Sequence, residues 1–207
     1  MNNFPVIVLD FETTGLSPQY GDRGIEIGAV LIENNMVIDR FQSLMNPGFR
    51  ISPFIESYTG INNDMVKAAP PCEELMELFA DFIGEYPLVA HNASFDRRFL
   101  DSELGFIGKS SNSNMACSML AARRVYPNLP NHQLGTLVRS CGIYTDGTFH
   151  RALADAEMTA QLWISMLDEI KDTFGINLVP FDLMRKLSKI TKAKAPAYLE
   201  KISGEQR

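Results

Sequence analysis

Asp10 and Glu12 stand two residues apart in the stretch Val6-Ile7-Val8-Leu9-Asp10-Phe11-Glu12-Thr13-Thr14-Gly15-Leu16. The run leading into them is apolar and β-branched, the pattern of a strand buried on both faces. Residues i and i+2 of a strand project to one side, so both carboxylates face one spot and Phe11 points the other way. Thr13-Thr14-Gly15 then turns the strand into a loop. Two acids converging at the end of a core strand repel each other and lose hydration. A hard divalent cation between them relieves both penalties, and Mg²⁺ and Mn²⁺ prefer carboxylate oxygen. An edge strand with two solvated acids is the blander alternative, but four apolar residues run directly into the pair.

Two further clusters carry the same kinds of group. In His91-Asn92-Ala93-Ser94-Phe95-Asp96-Arg97-Arg98, Asp96 falls in the first turn of a helix that follows a core strand. Taken alone, an acid there is ordinary helix electrostatics. In His150-Arg151-Ala152-Leu153-Ala154-Asp155-Ala156, Asp155 lies in a long helix among small residues that permit close approach. His150 sits five residues back, near the helix mouth, where a lone histidine is more often structural. Together, Asp10, Glu12, Asp96 and Asp155 are four carboxylates at the ends of core elements with one imidazole beside the last. That set forms a two-ion site more naturally than a salt-bridge network. Two metals roughly 3.5–4 Å apart clamp the attacking and leaving oxygens of an in-line displacement at phosphorus. Histidine, which titrates near pH 6.5 in water, can take a proton from an attacking water near neutrality.

These residues need elements to hold them. Residues 24–33 and 36–45 alternate as strands, and Asn34-Asn35 between them fits a two-residue hairpin turn, so the sheet opens as a three-stranded antiparallel meander. Glu26, inside the second strand, faces outward on the preferred reading, or else sits near the carboxylate pair. Residues 52–69 read as short helical turns, with Pro53 at a first helical position, a stop at Gly60-Ile61, and Asn63 capping a helix through Lys67. Residues 72–84 place Leu75, Leu78, Phe79, Phe82 and Ile83 at helical spacing, with Gly84 as the stop. Residues 87–91 form a short buried strand. A helix capped by Ser94 runs through Leu104, and helices follow at 116–126, 132–141 and 150–171. Trp163 reads as core. Pro180 opens a basic helix over 181–191 with Leu183, Leu187 and Ile190 on its apolar face. The order predicts a mixed sheet flanked by helices.

Residues 8–16 (VLDFETTGL), 91–96 (HNASFD) and 150–156 (HRALADA) resemble, in order and spacing, the three motifs of the DEDDh-type 3′–5′ exonucleases, and within them the proofreading epsilon subunit of bacterial DNA polymerase III. The resemblance covers about residues 4–170. It implies an α/β, ribonuclease H-like mixed five-stranded sheet, with three antiparallel strands first and parallel strands after. It implies two divalent cations, Mg²⁺ with Mn²⁺ able to substitute, held by Asp10, Glu12, Asp96 and Asp155, and His150 as general base. The histidine five residues before Asp155 marks the histidine branch. The expected reaction is release of nucleoside 5′-monophosphates from the 3′ end of a single strand, DNA before RNA. Thr13 and Thr14 would bind the terminal sugar through their backbone, Leu16 would wedge against the terminal base, and Asn92 and Phe95 would line the strand's path. An exoribonuclease trimming RNA 3′ ends, or a polymerase-associated binding subunit, are the alternatives, and a DNA polymerase subunit is the protein partner in view.

Composition bounds the rest. The chain has 207 residues, 45% of them hydrophobic, enough for one sizeable core plus an extension. No apolar run approaches the ~20 residues that span a bilayer, and Met1-Asn2-Asn3-Phe4 lacks a basic leader region, so no membrane association is expected. Cys72, Cys117 and Cys141 form no C-x-x-C pair, which fits a reducing cytoplasm and argues against structural zinc. The net charge of −6 is poor for nonspecific coating of duplex nucleic acid, but allows an enzyme that holds an acidic polymer through cations. Residues 1–176, the expected exonuclease domain, carry 12 Lys+Arg against 22 Asp+Glu; residues 177–207, a basic helical C-terminal extension, carry 7 against 3. That extension could favour an anionic partner, or be a solvated helix. No G-x-x-x-x-G-K-[ST] loop occurs, which disfavours ATP-dependent phosphate transfer.

Overall fold

The computed structural model describes residues 5–111, 114–145 and 150–206; Met1–Phe4, on which the expectation of no leader rests, lies outside them. β1 (Val6–Thr13) is central in a five-stranded sheet of order β3-β2-β1-β4-β5, with β2 at Gly24–Glu33, β3 at Met36–Leu44, β4 at Leu88–Ala90 and β5 at Met115–Cys117. β1, β2 and β3 pair antiparallel, and β4 and β5 join parallel. Asn34 and Asn35 turn the β2–β3 hairpin with φ of 52° and 63°, the left-handed pair a twisted two-residue turn requires.

The strand period sorts β1 into two faces. Ile7, Leu9 and Phe11 pack with α3 (Cys72–Ile83) and α4 (Ser94–Phe106). Val6 and Val8 pack on the other side, where α7 (Ala152–Phe174) contributes Leu162, Trp163 and Met166. Asp10 and Glu12 continue that second face toward the carboxyl end of the strand. The core is therefore a sheet sandwiched between helical layers. α1 (Pro53–Thr59) and α2 (Asn63–Ala68) cover a smaller apolar cluster of Ile25, Ile51, Ile55, Ile61 and Val66. α5 (Ser118–Val125) and α6 (Leu134–Ser140) extend the α7 side. Beyond residue 176, α8 (Phe181–Lys189) and α9 (Ala195–Glu205) bury Phe181, Leu183, Met184, Leu187 and Leu199 in the same cluster as Trp163.

Several sequence expectations shift. Residues 115–117 are the fifth strand and the helix starts at Ser118, not at residue 116; three residues are too few to show a period. Asn62, not Asn63, caps α2, accepting from the Met65 amide, because the Asn63 amide group is committed to Ile51 and Glu56. Ala93 rather than Ser94 precedes α4, with no side-chain cap. On α3, Leu78 is 59% exposed and Met76 is buried instead, since the helix turns Met76 rather than Leu78 toward the sheet. The preferred outward placement of Glu26 is overturned: its side chain is fully buried, opposite Glu12 in the β1–β2 register.

Candidate active site

Four elements meet at the carboxyl ends of β1 and β4. β1 supplies Asp10 and Glu12. The β4–α4 junction supplies His91, Asn92, Phe95 and Asp96, and α7 with the residues before it supplies His150 and Asp155. Thr13 ends β1, and the loop after it supplies Thr14 and Leu16. A cavity of about 690 Å³ is lined by Asp10, Glu12, Thr13, Thr14, Leu16, Asn92, Phe95, Asp96 and His150. Every residue singled out in the sequence lines it except Asp155. Asp155 lies at its edge, where its carboxylate, that of Glu12 and an imidazole nitrogen of His150 lie within 4.8 Å of one another.

Local chemistry fixes each group. Asp96 reaches back to β1 and accepts the Phe11 amide at 3.2 Å, tying the first turn of α4 to the residue between Asp10 and Glu12. The His150 amide donates to Asp155 Oδ2 at 2.9 Å. His150 and Asn92 both adopt left-handed backbone, φ 62° and 65°; non-glycine residues in that region carry strain, which gathers at functional sites. His91 is pinned between the Ser118 hydroxyl and the His132 carbonyl. Since a carbonyl only accepts, Nε2 carries the proton and Nδ1 faces Ser118. Burial pushes this imidazole down to about 4, so it stays neutral at pH 7. The loop bearing Leu16 is anchored by Asp22, whose carboxylate accepts from the Thr14 hydroxyl and the Ser17 amide. That leaves Leu16 78% exposed at the cavity's lip.

The electrostatics are those of an acid cluster short of positive charge. Burial, then the charges of Asp96, Asp155, Glu12 and Glu26, hold the Asp10 carboxyl well above its ordinary range. Glu12 is pushed up to about 8, by burial first and then by Asp155, Glu26 and Asp96. Burial raises Asp96 to about 7 against the two backbone amides that favour its charge, and raises Asp155 as well. An all-oxygen set with one imidazole, in which the anions destabilise each other, has the donor chemistry of a hard divalent cation site.

Sequence reasoning missed the wall that α1 adds to the cavity through Phe54, Ile55, Tyr58 and Thr59. Phe54 is 72% exposed and stacks on Tyr58 with ring centroids 6.0 Å apart. Tyr58 lies 4.1 Å, centroid to centroid, from the His150 ring. Burial and the nearby carboxylates raise the Tyr58 phenol. The i, i+4 spacing of the two aromatics signals that they share one side of α1, but not what that side faces.

Fold and site together define a nuclease of the ribonuclease H-like class. An exonuclease family model matches residues 7–163, and the chain belongs to that family. It is 39% identical over 173 residues to the DNA polymerase III PolC-type protein of Caldanaerobacter subterraneus subsp. tengcongensis, covering 84% of this chain and 12% of that one. It is 38% identical over 171 residues to the PolC-type protein of Listeria welshimeri, covering 82% and 12%. The chain thus spans 12% of the length of these curated relatives. Among solved structures, exonuclease X in complex with 5′ overhanging duplex DNA matches with a TM-score of 0.70 at 26% identity, over 88% of this chain and 99% of that one. The nuclease domain of 3′hExo, a DEDDh family member bound to rAMP, shares the fold with a TM-score of 0.69 at 22% identity, over 80% and 92%. Among the described residues no helix is long and apolar enough to cross a membrane.

Proposed function

We propose that the chain is a metal-dependent 3′–5′ exodeoxyribonuclease that releases nucleoside 5′-monophosphates from DNA 3′ ends. The observation that carries this is the convergence of Glu12, His150 and Asp155 within 4.8 Å, in contact with a cavity that Asp10 and Asp96 also line. Asp10, Glu12, Asp96 and Asp155 would hold two divalent cations, Mg²⁺ with Mn²⁺ able to substitute. When bound, such ions stabilise charge on the attacking and leaving oxygens of phosphoryl displacement. His150, exposed at the helix mouth, takes the proton of the attacking water. Oxygen attacks phosphorus as the bond to the 3′ oxygen breaks, and that oxygen gains a proton. The Thr13 and Thr14 backbone holds the terminal sugar, Leu16 abuts the terminal base, and Asn92 and Phe95 flank the incoming strand. Tyr58 and Phe54 add aromatic surface to the same cavity.

DNA is favoured over RNA because the 26%-identical exonuclease X was solved on duplex DNA and the similar curated proteins are DNA polymerases. A DNA polymerase is accordingly the partner assigned to the chain, with a cytoplasmic location. The division into a nuclease domain, residues 1–176, and a basic extension, residues 177–207, belongs to the same proposal. It is supported by the end of the family match at residue 163 and by the exposed Lys186, Lys189, Lys192 and Lys194 around α8. End-labelled oligomers of matched DNA and RNA, single- and double-stranded, incubated with Mg²⁺ or with EDTA, test the assignment. A 3′ label should leave as mononucleotide from DNA only with Mg²⁺. Retention of the label, faster loss from RNA, or loss in EDTA would each reject it.

A further inference from the structure

One buried acid has no place in the reaction just described. Glu26 on β2 is fully buried beside the acid cluster, where a fifth carboxylate repels Asp10, Glu12 and Asp155. It lies opposite Glu12 in the strand register, and two residues on, Gly28 lies opposite Asp10. Both of its oxygens are occupied. Oε1 accepts from Arg151 Nη2 at 2.8 Å and Gln42 Nε2 at 2.9 Å; Oε2 accepts from Arg151 Nε at 3.1 Å and the Ala152 amide at 3.0 Å. With its lone pairs so engaged, Glu26 is not available as a cation ligand. The Ala152 amide is one of the first-turn donors that α7 itself cannot satisfy. Arg151 links His150 to that turn. Gly28 completes the seat, because a Cβ there would fall inside the backbone of Ala152 and Leu153.

From this geometry we infer that Glu26 is a positioning residue for the nuclease site: it docks the first turn of α7 on β2 and keeps the Arg151 guanidinium away from the cation ligands. Docking sets where His150 and Asp155 stand relative to β1. The charge pairing matters because Arg151 is held on Glu26, and Glu26 faces Glu12 directly across the β1–β2 register. Released from Glu26, the guanidinium can turn to Glu12 across the strand pair and compete with the cation for it. Partners that orient metal-binding side chains in this way change metal affinity about 10–100-fold when removed.

The inference rests on the proposed cation site, so two measurements are paired. Mn²⁺ binding is counted by electron paramagnetic resonance of free Mn²⁺, with no substrate present, for the wild type, Asp10→Ala, Glu26→Gln and the double variant Glu26→Gln/Arg151→Gln. Asp10→Ala should lose Mn²⁺ binding; if it binds like the wild type, the cation site itself is wrong. With that control satisfied, Glu26→Gln should fold and bind Mn²⁺ at least about tenfold more weakly. Removing the freed guanidinium in the double variant should bring affinity back to within about threefold of the wild type. Turnover should stay at least about tenfold down, because the Ala152 anchor is weakened. Glu26→Gln with a lowered melting temperature but an unchanged Mn²⁺ titration would make the residue merely structural and overturn the inference. So would a double variant that binds no better than Glu26→Gln. Should Glu26→Gln alone fail to fold, the double variant is read by itself. Mn²⁺ binding near the wild type with reduced turnover supports the positioning role, and turnover within about twofold of the wild type rejects it.

Discussion

Without a divalent cation, the acid cluster should make the protein less stable as pH rises. Glu12 and Asp96 titrate in the folded chain near 8 and 7, whereas unfolded carboxyls titrate near 4. A group whose folded pKa is raised contributes stability that is complete below its unfolded pKa and lost as pH climbs through its folded pKa. Between about pH 5 and pH 7 the native state therefore holds at least one proton that the unfolded chain has released. Each such proton removes about 1.4 kcal/mol per pH unit. In a chain of this size that corresponds to a fall in Tm of roughly 3–6 °C per unit. Mg²⁺ reverses the trend, because binding displaces the protons and strengthens as the carboxyls ionise. Scanning calorimetry from about pH 5 to pH 8, in EDTA and in excess Mg²⁺, should show two Tm curves that diverge with rising pH. Glu12→Gln should flatten the EDTA curve by about one proton's slope. A Tm in EDTA that is flat or rises over this range, with a constant Mg²⁺ increment, would refute the electrostatic description of the site.

Three further outcomes follow from particular contacts. His150→Gln should lower turnover about 10²–10⁴-fold, the usual share of a general base, while Mn²⁺ still binds; a rate near the wild type's would move the proton-accepting role elsewhere. Glu103 is buried and accepts from the Arg23 guanidinium and the Gly24 amide. Glu103→Ala should cost about 1–3 kcal/mol in denaturant unfolding, because the Gly24 amide loses its acceptor and the Arg23 guanidinium keeps only the more exposed Glu73 as an ion partner, and a cost below about 1 kcal/mol would mean water replaces the carboxylate. Leu187→Ala, on α8, should cost about 2–5 kcal/mol in a single cooperative transition; a separate early transition would show α8 and α9 melting apart from the sheet.

The sequence carried the site further than it carried its surroundings. Asp10 and Glu12 were legible because a period of two after an apolar run leaves one geometry, and Asp96, His150 and Asp155 because each follows a recognisable element boundary. Glu26 was misplaced, although Gly28, Val30 and Ile32 share its strand face and Ile25 and Ile27 fill the other. A strand apolar on both sides has no solvent face to give a charge, and that was the overlooked signal. Tyr58 was not legible, since its contact with His150 depends on how α1 crosses the carboxyl end of β1, which no local pattern encodes. The five-stranded sheet was expected but its fifth strand could not be located, because three residues show no period, and α9 went unmarked within the helical extension because it is buried only through Ala195, Leu199 and Ser203.

Diffraction from crystals soaked with Mn²⁺ and a nucleoside 5′-monophosphate, recorded at the manganese edge, addresses the cation site itself. Two anomalous peaks roughly 3.5–4 Å apart, touching the carboxylates of Asp10, Glu12, Asp96 and Asp155 with the phosphate beside His150, are the predicted result. Peaks bound elsewhere, or a cavity that takes up the nucleotide with no manganese against those four side chains, would contradict it.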